Sequence, residues 1–76
     1  MRSFKKKILS ESITILKESL EVVTSVARDE AMVAERLPGN LKHSVKYDTM
    51  ISGSRSLQLA ATQISLAIKR IMDACS

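Results

Sequence analysis

The chain reads as an all-α protein: an antiparallel two-helix hairpin, completed by oligomerisation into a helical bundle. Three observations predict this. Apolar residues recur at alternating spacings of three and four along two long stretches. One strong break, Leu37-Pro38-Gly39-Asn40, separates those stretches near the middle of the 76 residues. Gly occurs twice and Pro once, too rarely for a many-turned small β barrel. A chain this short forms a single domain, 1–76.

Helix 1 is expected over about 3–36. Its seam row is Leu9, Ile13, Leu16, Leu20, Val23 and Ala27, in heptad alternation. A second stripe, Ile8, Ile15 and Val22, repeats at one-heptad intervals with Val26 and Val33 nearby. The turn is expected over 37–43. Pro38 and Gly39 suit the two central positions of a type II turn, since Pro pre-sets φ and Gly accepts φ > 0. Leu37, ahead of the proline, is pushed out of helical geometry. Asn40 suits the cap of a short turn there, and Ser44 suits the N-cap of the next helix.

Helix 2 is expected over about 44–75. Its seam row is Tyr47, Met50, Ser54, Leu57, Ala61, Ile64, Ile68, Ile71 and Cys75. Gly53 and the serines around it weaken this helix near its start, yet the unbroken register carries it through. Beside the seam, Leu59 and Leu66 form a second stripe next to a small-residue row, Gly53, Ala60, Ala67 and Ala74. In both helices the second stripe is expected to adjoin the seam and broaden the apolar face beyond what one partner helix covers. Chains this small commonly need oligomerisation or another staple. Self-association through Ile8, Ile15, Val22, Gly53, Leu59, Ala60, Leu66, Ala67 and Ala74 follows, with two hairpins giving a four-helix bundle as the simplest form.

The residues offer little for chemistry. A single Cys excludes a disulfide within the chain and any multi-Cys zinc site. The carboxylates Glu11, Glu18, Glu21, Asp29, Glu30, Glu35, Asp48 and Asp73 include no Glu-x-x-His pair of the di-iron type. Glu18 and Glu21 read as a solvated helix face, and His43 as a surface residue beside the turn. Cys75 reads as a small hydrophobe in the last turn of the seam, with no His or helix N-terminus to activate it. No P-loop, phosphate cradle or Ser nucleophile motif occurs. The expectation is a non-enzyme with no cofactor, no metal and no small-molecule substrate.

The start, Met1-Arg2-Ser3-Phe4-Lys5-Lys6-Lys7, begins like a secretory n-region, but Ser10, Glu11 and Ser12 interrupt any apolar core behind it. No stretch approaches the roughly 18 apolar residues of a membrane span. The expected location is the cytoplasm, without a membrane partner.

Charge is more informative. The formal net charge is +4. Arg2, Lys5, Lys6 and Lys7 open helix 1, and Lys69 and Arg70 lie near the end of helix 2, so an antiparallel hairpin gathers all six at one end. Lys69 and Arg70 suit the negative end of a helix dipole, whereas Lys5, Lys6 and Lys7 oppose the positive end. Helix stability does not account for those three. They suit either a contact with nucleic acid or another acidic surface, or a frayed solubilising terminus. Aromatics make up 3% of the chain, too few for a base-stacking surface. No short recognition helix of the helix-turn-helix kind is present.

The segment Asp29-Glu30-Ala31, Arg36-Leu37-Pro38-Gly39-Asn40-Leu41-Lys42-His43-Ser44, Tyr47 and Met50 resembles small uncharacterised helical-hairpin proteins of phages, prophages and other bacterial mobile elements. In those, an acidic helix ends in Leu/Met-Pro-Glu-Asn-Leu-Gln-x-Ser, and the second helix carries repeated Ala-Ile pairs. Leu37, Pro38, Asn40, Leu41 and Ser44 match, and Ala67-Ile68 echoes the pairs. Gly39 and Lys42 stand where Glu and Gln are usual, and helix 2 is not acidic as in those proteins. The resemblance implies a helical hairpin at work in a bacterial host cell and brings no activity. Three functions compete on these grounds: an interaction module that self-associates and binds another protein, such as a host defence component; a nucleic-acid-associated accessory protein; and an assembly or scaffold part.

Overall fold

A computed structural model describes all residues, Met1–Ser76. Helix α1 runs Ser3–Glu35, a short 3₁₀ turn spans Gly39–Leu41, and helix α2 runs Val45–Cys75. The two helices pack antiparallel into a rod of 59 × 15 × 13 Å. Neither strand nor sheet is present, and no helix is long and apolar enough to cross a membrane.

The heptad rows meet along one line. On α1, Leu9, Ile13, Leu16, Leu20 and Val23 are half-buried and Ala27 is buried, and the row continues to the buried Ala34. On α2, Tyr47, Met50, Leu57, Ala61, Ile64, Ile71 and Cys75 are half-buried, with Ser54 and Ile68 buried. Side-chain size is uneven along the seam, with Tyr47, Met50 and Leu57 half-buried among smaller residues in the turn half. Near the turn the fully buried residues are Ala27, Ala34 and Ser54, which let the backbones approach closely. Toward the free ends the seam is built from Leu and Ile.

Register is pinned at the narrow part. Ser54 Oγ donates to the Ala27 carbonyl at 2.8 Å, and Gln58 Nε2 donates to Ser54 Oγ at 3.2 Å. No buried side-chain polar atom is left without a partner. The seam hydroxyl is therefore satisfied, and it ties one helix to a chosen carbonyl of the other. α2 is continuous through Gly53, and a Cβ built there meets nothing within 4 Å.

The connection corrects the expected type II turn. No glycine has positive φ. Pro38 is extended (φ −56°, ψ 148°) and precedes the 3₁₀ turn, accepting from Leu41 N at 2.8 Å, while Lys42 N donates to the Gly39 carbonyl at 3.3 Å. Asn40 thus lies inside the turn, and Pro38 holds the cap position. A Pro-Gly pair permits φ > 0 without requiring it, and here two successive i→i+3 bonds satisfy the backbone instead. Ser44 caps α2 as expected: its Oγ accepts from Tyr47 N at 3.2 Å and donates to the Leu41 carbonyl at 2.6 Å. Asp48 adds a carboxylate to the first turn of α2. The loop is bridged by the molecule's one ion pair, Lys42 Nζ to Glu35 Oε2 at 3.6 Å.

Candidate interaction surface

A two-helix rod has two flanks and two backs, and these differ sharply. On one flank, Thr24, Ala27, Arg28, Ala31, Gln58 and Ala61 line a shallow groove. Farther along the same flank, Lys6, Ser10, Ile13, Met72, Cys75 and Ser76 line another. Side chains following the seam on α1 and α2 share this flank, as antiparallel pairing of right-handed helices requires, and most of them are polar.

The opposite flank carries the residues that precede the seam. On α1 these include Val26 and Val33, 44% and 47% exposed, and on α2 they are Gly53, Ala60, Ala67 and Ala74. At the outer edge of the same flank stand Ile8, Ile15 and Val22, each at least 46% exposed. In the free-end half the α1 residues next to the seam on this flank are Lys5, Ser12 and Ser19, so the ridge of branched side chains stands outside a polar line that faces the row of small residues on α2. Ala60 and Ala67 are half-buried, and Gly53 and Ala74 are exposed.

Leu59 and Leu66 require a correction. They do not adjoin the seam. Each sits two residues from seam positions on either side, which places it about 160–200° around the helix from them, on the back of α2. They are 66% and 50% exposed. Leu66 nevertheless forms one wall of a depression of about 480 Å³ that opens over Ala67, lined also by Gln63, Arg70 and Ile71.

The basic residues gather as the antiparallel topology dictates. Arg2, Lys5, Lys6, Lys7, Lys69 and Arg70 are all exposed toward the free ends. None makes an ion pair, and Lys7 is unpaired although Glu11 stands four residues on. Arg2 occupies the N-cap position of α1 without a capping side-chain bond, and no acidic residue lies in that first turn. Three lysines thus follow an uncapped, positively polarised helix end.

Elsewhere the molecule is chemically sparse. No group of three His, Cys, Asp or Glu side chains comes together to hold a metal. His43 is exposed beside the turn, and Cys75 is a half-buried free thiol in the last turn of α2. What the sequence reading missed is Ser54 as a cross-helix donor. The available signal was a lone hydroxyl in an apolar seam row, opposite a run of alanines. No protein-family model, curated protein or solved structure matches this chain.

Proposed function

We propose that this protein is a non-enzymatic, self-associating interaction module that binds another protein through apolar helix surface. The observation that carries this reading is the exposure of Ile8, Ile15, Val22, Val26, Val33, Leu59 and Leu66 on two helices whose seam buries only Ala27, Ala34, Ser54 and Ile68. Exposed large apolar side chains in this number on so small a chain point to interaction surface. The resemblance of the turn segment to mobile-element hairpins directs the partner search to proteins of a bacterial host cell, defence components among them. Sedimentation at micromolar concentration tests the self-association. The expected species is at least a dimer, and a folded 8.4 kDa monomer would overturn the reading.

The second reading is a nucleic-acid-associated accessory protein. The unpaired cluster Arg2, Lys5, Lys6 and Lys7 at an uncapped helix end favours it. A salt titration separates the two. Phosphate contacts give a slope of log affinity against log salt of about −0.7 to −0.9 per contact, so tight duplex binding at physiological salt would promote this second reading above the first.

A further inference from the structure

We propose that a second copy of this chain covers this flank with its own α2 over α1, about a two-fold axis parallel to the rod, so that Ile8, Ile15 and Val22, with the small Ser12 and Ser19 beside them, meet the small-residue row of the partner. This rests on the self-association reading above and specifies its geometry.

The area points to a second copy. The single chain exposes 5831 Å². A compact monomer of its 8.4 kDa mass exposes about 4,600 Å². The excess, about 1,200 Å² per chain, exceeds the roughly 800 Å² per partner that a stable interface buries.

Shape then chooses among the ways two copies can meet. The Ser54–Ala27 bond sets the register of α1 against α2. In that register Ile8, Ile15 and Val22 lie level with Ala74, Ala67 and Ala60 to within about one residue, or ~1.5 Å. A two-fold axis along the rod keeps every level unchanged and lays α1 of each copy, antiparallel, on α2 of the other. Each branched residue then meets a small one. The depression over Ala67 provides the receiving geometry. Gln63, Leu66, Ala67 and Arg70 stand at i, i+3, i+4 and i+7, the four-residue hole of knobs-into-holes packing, and Ile15 is the knob at its level. Leu59 and Ala60 stand in the corresponding positions for Val22. Leu59 and Leu66, on the back of α2, thereby become walls of the holes. A two-fold axis across the rod would instead set ridge against ridge and small-residue row against small-residue row, leaving the hole over Ala67 without a knob.

Charge adds a directional consequence. The axis along the rod places both copies of Lys5, Lys6 and Lys7 at one end, so association tightens as salt screens them.

The test uses the full chain with Cys75→Ala and paired Val22→Cys and Ala60→Cys substitutions, oxidised under mild conditions. Within one chain Val22 stands at the outer edge of the flank on α1 and Ala60 beside the seam on α2, and a bond formed within one chain would leave the mass at 8.4 kDa. The expected product is a covalent dimer of twice 8.4 kDa, with neither single-cysteine variant cross-linking alone. A covalent dimer from Ile15→Cys alone would mean α1 against α1 and would overturn the proposal. Ala67→Leu supplies an independent readout: filling the hole should weaken association by roughly tenfold or more with helicity unchanged. Unchanged or tighter association would reject the ridge-in-row packing, because added apolar surface alone favours association. Sedimentation of the parent chain separates two failures. A dimer that gives no Val22–Ala60 cross-link ends this arrangement and leaves self-association standing, whereas a monomer at tens of micromolar ends both.

Discussion

Ser54 is the residue at which the hairpin becomes a specific structure rather than two sticky rods. A heptad seam can slide by seven residues and still place apolar against apolar. Sliding here would strand a buried hydroxyl away from the Ala27 carbonyl and force Leu or Ile side chains into the space held by Ala27 and Ala34. Ser54→Ala removes the bond without changing the volume much, and the Ala27 carbonyl keeps its helical donor. We expect a loss of about 1 kcal/mol in denaturant unfolding, with the fold retained. Ser54→Leu should cost more, about 1–3 kcal/mol, because the narrow seam has no room for it. A Leu variant as stable as the parent would mean that the close approach at Ala27 does not exist. Heptad spacing alone placed Ser54 in the seam, but its partner could not be read, because register depends on which carbonyl the folded chain brings opposite.

At the scale of the elements, the two helices are unequal at their starts. α2 begins on a Ser44 cap with Asp48 in its first turn, and α1 begins on Arg2 with no capping bond and three lysines behind it. Ser44→Ala should destabilise by about 1 kcal/mol. Gly53→Ala should do the opposite, raising the thermal midpoint through about 0.5–1 kcal/mol of backbone entropy, since the added methyl meets nothing within the chain. Thermal melts of the two variants check both signs together. The helices and the seam were legible in the sequence because periodicity reports burial directly. The turn was legible as a break and illegible as a type. Pro38-Gly39 is compatible with several backbone paths, and hydrogen bonds contributed by Leu41 and Lys42 chose among them.

For the whole molecule, the informative feature is the collection of unpaired positive charge at the free ends of the rod. Replacing Lys5, Lys6 and Lys7 with Gln should leave helicity unchanged or slightly higher, measured by circular dichroism, because those lysines oppose the α1 dipole. The same variant should associate more tightly at low salt if the two copies carry these residues at one end. If nucleic acid is the partner, it should lose affinity by orders of magnitude and show a flatter salt slope. The candidate surface was only partly visible beforehand. The ridge Ile8, Ile15 and Val22 and the row Gly53, Ala60, Ala67 and Ala74 stand out as heptad repeats in one dimension. That they occupy one flank, at matching levels, depends on the handedness of antiparallel pairing and on the register, neither of which a list of spacings contains. Leu59 and Leu66 differ: two residues from a seam position is already about 160–200° around a helix, so spacing alone contains their place on the back of α2.

Full burial in the seam is concentrated in the turn half of the rod. Three of its four buried residues, Ala27, Ala34 and Ser54, lie toward the turn, and only Ile68 lies toward the free ends. A single chain should therefore breathe like a pair of tongs pivoting at Pro38–Leu41. Amide hydrogen exchange should be slowest around Ala27–Ala34 and Met50–Leu57 and accelerate steadily toward Leu9 and Ile71. Ile8 and Ile15, with Ala74 and Ala67 level with them, lie in the loose half, and Val22 and Ala60 lie at its border. Raising the protein concentration should slow exchange there selectively and flatten the gradient, while the pivot half barely responds. A gradient indifferent to concentration would show that no second copy closes the tongs.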